Sequence, residues 1–183
     1  MFTFLGGSPC LDLTATLEMR HLRKPRELLT TPGDVTSWLD QAGLVAEVAV
    51  DEAGLRRTVA LREVVDRLCR GTGSADDLAA LNATAAAPPL MPYWSGAAVE
   101  NRGTLEQALS TLARDAIALL SGPRATRIRE CAHPECSRLF RDVSHSGRRR
   151  WCGMNTCGTK VKAAGYRRRK RARAKEPEQA ELR

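Results

Sequence analysis

Six cysteines stand in the chain, and four of them fall into two equal pairs, Cys131-x4-Cys136 and Cys152-x4-Cys157, separated by 15 residues. Two short-spaced pairs can offer two thiolates from each of two turns, the arrangement a tetrahedral zinc ion requires. Where the surroundings keep thiols reduced, such pairing points to metal before disulfide. The 27 residues from Cys131 to Cys157 hold few large hydrophobes: Leu139, Phe140, Val143, Trp151 and Met154. So small a core rarely folds unaided, and a metal crosslink supplies the missing stabilisation. Four small core residues is the competing reading, and the doubled spacing over a thin core counts against it. One structural Zn2+ on Cys131, Cys136, Cys152 and Cys157 is therefore expected. Four thiolates leave no open position for an activated water, so hydrolytic zinc chemistry is excluded. Cys10 and Cys69 have no partner at ligand spacing and read as packing residues. His133 and His145 fall outside a shell already complete.

The ligands need elements to hold them. Arg138 to Arg141, then Ser144 to Gly147, then Arg148 to Trp151 read as strand, turn and strand between the two pairs. After Cys157 the chain reads as a helix through Lys162, Ala163 and Ala164, and a thiolate at a helix start is favoured by the dipole there. The plan is treble-clef-like. Ahead of it lies a mainly helical body. Asp34 is placed as the cap of a short helix carrying Val35, Trp38 and Leu39; a longer one covers Asp51 to Arg70; Ser74 opens a third. Thr104-Leu-Glu-Gln107 is a capping box, and behind it Leu105, Ala108, Leu109, Leu112, Ala116 and Leu119 share one face until Ser121-Gly122-Pro123. Met1 to Thr16 and Pro89 to Glu100, broken by Gly and Pro, predict a small hairpin or sheet. The fold class is α+β: a mainly α-helical N-terminal domain with a small β-hairpin or sheet, plus a C-terminal treble-clef-like zinc finger. The boundaries drawn are 1–122 for the helical domain, 123–175 for the finger with its basic helix, and 176–183 for a disordered tail.

Charge divides the same way. Residues 1–122 hold 11 Lys/Arg against 15 Asp/Glu, whereas residues 123–175 hold 17 against 3. A net of +14 in that third points to a polyanion, because each cation that replaces a counterion on a phosphate gains free energy. The candidate nucleic-acid contacts are Arg148, Arg149, Arg150, Lys160, Lys162, Arg167, Arg168, Arg169, Lys170 and Arg171. Arg148–Arg150 carry a competing reading, since zinc with four thiolates has a formal charge of −2 that they could offset. Only Phe140, Trp151 and Tyr166 are at hand for base stacking, which favours duplex DNA over RNA.

Other classes find little support. The longest uncharged run, Leu78 to Val99, is broken by Pro88, Pro89 and Pro92 and makes a poor membrane span. The first basic residue follows Asp12, unlike a signal peptide's start, so a soluble cytoplasmic protein without membrane contact is expected. Gly71-Thr-Gly-Ser74 follows a helix, not a strand, and is no nucleotide loop. His21 has no acid or nucleophile beside it and reads as a surface residue. No catalytic residues are predicted, and the chain reads as a non-enzyme.

The C-terminal residues resemble the CGNR zinc finger family, here as Cys131-Ala-His-Pro-Glu-Cys136, Leu139-Phe-Arg-Asp-Val-Ser144 and Arg148-Arg-Arg-Trp-Cys-Gly-Met-Asn-Thr-Cys-Gly-Thr-Lys160. Thr159-Lys160 replaces the Asn-Arg that gives that family its name, which keeps a charge but loses an arginine fork. Gly6-Gly7, Leu11-Asp-Leu-Thr-Ala-Thr-Leu17 and Val35-Thr-Ser-Trp-Leu39 resemble the ABATE-type N-terminal domain that accompanies the finger. That resemblance implies a stress-linked transcription regulator: a zinc-dependent finger on DNA, with a regulatory or ligand-sensing N-terminal domain and a small-molecule effector as a further partner. The alternatives are a finger that binds RNA or protein, or an enzyme with a pocket in the N-terminal domain.

Overall fold

The computed structural model describes residues 1–123 and 125–180, with side chains throughout except in 171–180. A buried six-residue helix, α1 (Pro9–Thr14), opens the fold, with Cys10, Leu11 and Leu13 wholly enclosed. Its own cap, Ser8, makes no side-chain bond to the helix. Instead Asp115, far along the chain, accepts the Cys10 N–H (2.9 Å) and the Ser8 hydroxyl (2.6 Å). A helix this short is held by tertiary contacts and carries no local signature. That is why the sequence predicts sheet from Met1 to Thr16 and the structure has a helix. A two-residue ladder, β1 (Leu17–Glu18) with β2 (Arg26–Glu27), lies just after it.

The remaining body elements follow their capping chemistry. Helix α2 (Pro32–Gln41) is capped by Thr31, with Pro32 in the first turn and Asp34 closing the capping box from its third position, so Asp34 is not the cap itself. Asp51 caps α3 (Glu52–Cys69), Ser74 caps α4 (Ala75–Ala86), and the Thr104/Gln107 box opens α5 (Leu105–Leu120) as expected. Between α4 and α5 the expected hairpin is present as β3 (Met91–Trp94) and β4 (Val99–Arg102), with Trp94 opposite Val99 beside the turn. Helices α3, α4 and α5 pack on one another and α1 lies across α3 and α5, with α2 against α3. Their buried faces make one core that includes Trp38, Leu39, Leu61, Val65, Leu109, Leu112 and Leu119. Along one side of α3 runs an ion-pair chain: Arg62 with Glu27 (2.6 Å), Arg20 with Glu63 (2.6 Å), and Arg70 with Asp66 (2.8 Å). Arg62 is 2% exposed, and its bonds to both Glu27 oxygens satisfy a charge that would otherwise be costly to bury.

A 3-10 turn (Ala125–Arg127) leads into β5 (Ile128–Glu130), which pairs antiparallel with β6 (Leu139–Arg141). A single π-helical turn (Met154–Gly158) then feeds α6 (Thr159–Ala180). The hairpin thus differs from the one expected. β6 and a turn closed by Gly147 N–H to the Ser144 carbonyl are present, but the partner of β6 is β5, ahead of the first cysteine pair. Residues 148–150 form no strand: the Arg149 N–H goes to the Asp142 carboxylate and not to a neighbouring strand. Helix α6 keeps helical backbone to Ala180, through Pro177 and into the stretch where the sequence predicts a disordered tail. The tail's last part, 181–183, lies outside the described residues.

Finger and body share a seam. Alternation along β6 sends Phe140 toward the cysteines and Leu139 into the body's core, where it is 3% exposed. In exchange Leu5 of the body packs into the cysteine cluster. Arg141 N–H bonds the Gly6 carbonyl at 2.7 Å, and a Cβ at Gly6 would meet Leu11 Cβ at 2.8 Å, so glycine is what lets this segment fold back onto α1 while it bonds the strand. Ser137 takes the Arg20 N–H on its hydroxyl (3.0 Å) and the Arg70 guanidinium on its carbonyl (2.8 Å). Arg70 also pairs with Glu130 at 2.9 Å.

Candidate metal centre

Each cysteine pair is held by a tight turn. Cys131, next after β5, donates its N–H to the Arg138 carbonyl (3.0 Å), and Cys136 donates to the His133 carbonyl (2.9 Å). On the other side, Cys152 precedes the π turn and Cys157 sits within it. Gly153 stands between: a Cβ there would lie 2.6 Å from Thr156 Oγ1 and 3.2 Å from Leu5. The four Sγ atoms all lie within 4.8 Å of one another, with Cys136–Cys152 at 4.0 Å and Cys152–Cys157 at 3.7 Å. A zinc ion with Zn–S bonds of about 2.3 Å places tetrahedral sulfurs about 3.8 Å apart. The cluster fits that ion, and it is a structural zinc site made of thiolates alone.

Hydrogen bonds and charge prepare the sulfurs. Cys152 is pulled down to about 4, first by the Cys136 thiol bonded to it and then by Arg138, whose Nη1 lies 3.5 Å from its sulfur. Cys157 is pushed up to about 11 by burial, and Cys136 is raised by its bond to the Cys152 thiolate. Negative charge is thus favoured at Cys152 over Cys136 and Cys157, and a bound zinc would supply the positive charge that the thiolate cluster needs. The backbone N–H of Cys152 in turn points at Cys131 Sγ, 3.5 Å away.

Two arginines answer the cluster's negative charge. Arg138 spans from Cys152 Sγ to Glu18 (3.5 Å), linking the metal site to the body. Arg149 bonds the Trp151 carbonyl (2.8 Å) and the Cys152 carbonyl while its guanidinium lies over the Phe140 ring at 4.6 Å. Its own N–H goes to Asp142, whose other oxygen takes the Ser144 N–H and hydroxyl. These bonds, the Ser144 hydroxyl first, hold the Asp142 carboxyl below its ordinary range.

A family model with the printed description "Putative stress-induced transcription regulator", ABATE, matches residues 7–123, and the CGNR zinc finger model matches 127–170. The chain belongs to the ABATE family. No curated protein matches it.

In this ABATE chain the predicted residues sort into distinct groups. All four ligand cysteines converge. Cys10 and Cys69 lie apart in and against the body's core. His133 uses Nδ1 to accept the Glu135 N–H (3.1 Å), and His21, exposed, donates Nε2–H to the Pro134 carbonyl (2.7 Å). Of the arginine triplet, Arg148 and Arg150 are exposed, Arg150 lying 5.3 Å over the Trp151 ring, while Arg149 is turned inward as a strut. Lys160, Lys162, Arg167, Arg168, Arg169 and Lys170 are exposed along α6. The Arg171 side chain lies outside the described residues. Arg138 was not singled out by sequence reasoning, because no spacing rule marks a group that reaches a ligand through space; Asp142 was marked only as a position of the finger motif, with no role given to it. Among the described residues no helix is long and apolar enough to cross a membrane.

Proposed function

We propose that this zinc-binding ABATE chain is a DNA-binding transcription regulator whose finger grips duplex DNA through α6. The observation that carries this reading is the path of α6. It leaves the zinc cluster at Cys157 and exposes Lys160, Lys162 and Arg167 to Lys170, none of them in an ion pair among the described residues. A helix cationic around its whole circumference has no apolar face to bury, so its partner is a polyanion. Metal anchorage fixes the helix start, the part that would enter a major groove, while the later arginines reach phosphates. The filled thiolate shell supports a binding role over catalysis. The body would serve as the regulatory part, and a groove of about 490 Å3 lined by Leu61, Val64, Ala83, Ala87 and Leu109 would receive an apolar effector.

Duplex titrations at several salt concentrations test the reading. Replacing Arg167, Arg168, Arg169 and Lys170 by Gln should make the slope of log affinity against log salt shallower by up to about 3.6, at about 0.9 per phosphate contact, with sequence preference kept. Lys160→Gln with Lys162→Gln should change sequence preference with a smaller change in slope. Single-stranded RNA bound in preference to duplex DNA, or an unchanged slope, would overturn it.

A further inference from the structure

The finger carries more positive charge than α6 and its zinc loop account for. The two cations that answer the thiolate cluster are Arg138 and Arg149, one on Cys152 Sγ and the other on the Trp151 and Cys152 carbonyls. The role that Arg148–Arg150 could have filled together is thus taken by Arg149 with Arg138, and the other arginines of the finger are surplus to it. Three of these, Arg127, Arg129 and Arg148, are exposed.

Their placement follows from the β5–β6 ladder. Ile128 packs on the body's core, so the alternation of β5 turns Arg129 to the opposite face, while Arg127 closes the 3-10 turn just ahead of the strand. Arg129 stands opposite Phe140, the ring that Arg149 covers. The Asp142 N–H to the Arg127 carbonyl (2.8 Å) extends the ladder by one bond and fixes Arg127 beside the turn. There its Nη1 reaches the Ser144 carbonyl (3.4 Å) and lies against Gly147, where a Cβ would strike it. Arg148 is the next residue. These three exposed arginines make up a row, one just ahead of the strand, one within it and one following the turn.

One carboxylate, Asp142, bears on that row through the charge of Arg127, and among the described residues none is ion-paired with its three arginines. Of the finger's acids, Glu130 is paired with Arg70 at 2.9 Å, and Asp142 gives one oxygen to Ser144 and the other to the Arg149 N–H. Glu135 is on the cysteine knuckle, in the cleft shared with Lys160 and Glu18. Among the described residues no carboxylate oxygen lies within 4.0 Å of the Arg127, Arg129 or Arg148 guanidinium. An excess of exposed positive charge raises the potential of a surface and favours an anionic partner. Guanidinium forks match phosphate oxygens in two-point bonds.

We infer that Arg127, Arg129 and Arg148 form a second phosphate-binding edge of the finger, separate from α6, that takes the backbone of the same duplex. This inference rests on the reading that the finger binds duplex DNA. The edge carries no base-reading element, so it adds affinity and fixes orientation without adding sequence preference.

The test uses the full zinc-loaded chain and a random-sequence duplex. Arg127→Gln with Arg129→Gln should make the salt slope shallower by about 1.8, which narrows the affinity gap to the wild type by about 12-fold between 50 and 200 mM salt. Arg127→Lys with Arg129→Lys should restore the slope. Arg56→Gln with Arg57→Gln, an equal loss of exposed charge from α3, should leave the slope as it is. An unchanged slope in the first variant, or an equal fall in the α3 control, would overturn the edge while leaving DNA binding by α6 intact. If the wild type itself binds no duplex in a salt-dependent way, both readings fall together. Should zinc content drop in the double variant, Arg148→Gln is read instead, with an expected slope change of about 0.9 and overturn if there is none.

Discussion

Leu139→Ala tests whether finger and body fold as one unit. Leu139 lies on β6 between Arg138, which touches a zinc ligand, and Phe140, which covers the cluster, yet its own side chain is 3% exposed within the body's core. Truncating a leucine so enclosed removes its transfer free energy and leaves a cavity, a loss of about 3 kcal/mol. For a chain of 183 residues that corresponds to a fall in Tm of about 6–12 °C. Calorimetry of the zinc-loaded chain should show one transition moved down by that amount. Zinc stoichiometry should stay at one, because the ligands are untouched. Two separate transitions, with the larger one unmoved by the substitution, would refute the shared seam and make the finger an independent bead on the body.

Three further outcomes follow from the same geometry. Cys152→Ser should lose the zinc and unfold the finger, since metal binding is also folding free energy, while Cys10→Ser and Cys69→Ser keep stoichiometric metal in a zinc assay. Arg149→Gln should speed zinc loss to a chelator about tenfold or more while leaving the duplex salt slope alone, because this side chain props the ligand loop and faces no phosphate. Burial raises the Asp12 carboxyl from 3.8 to about 6, so its protonated form favours the fold. That stability is present below the unfolded pKa and lost as pH rises through about 6. The unfolding free energy from urea melts of the wild type should therefore fall by about 1 kcal/mol between pH 5 and 7, and Asp12→Asn should abolish that part of the slope.

The zinc site was legible because its chemistry is local: two equal cysteine spacings on a stretch too poor in hydrophobes to fold alone. The capped helices were legible for the same reason, since Asp51, Ser74 and Thr104 each bond within their own first turn. What the sequence could not show depends on residues far apart. Helix α1 is tied by Asp115, and β6 finds its partner across the knuckle, not in the next segment. Arg149 looks like Arg148 and Arg150 in sequence, and only the Phe140 ring and the Cys152 carbonyl beneath it set it apart. The seam was hidden likewise, because Leu139 and Leu5 exchange places between two modules that sequence reasoning treats as separate.

X-ray absorption at the zinc edge on the full chain tests the account at its centre. The geometry of the four Sγ atoms predicts one zinc per chain with four sulfurs at about 2.3 Å and no lighter atom in the first shell. A nitrogen or oxygen in that shell, or a chain purified under reducing conditions that takes up no zinc, would contradict it.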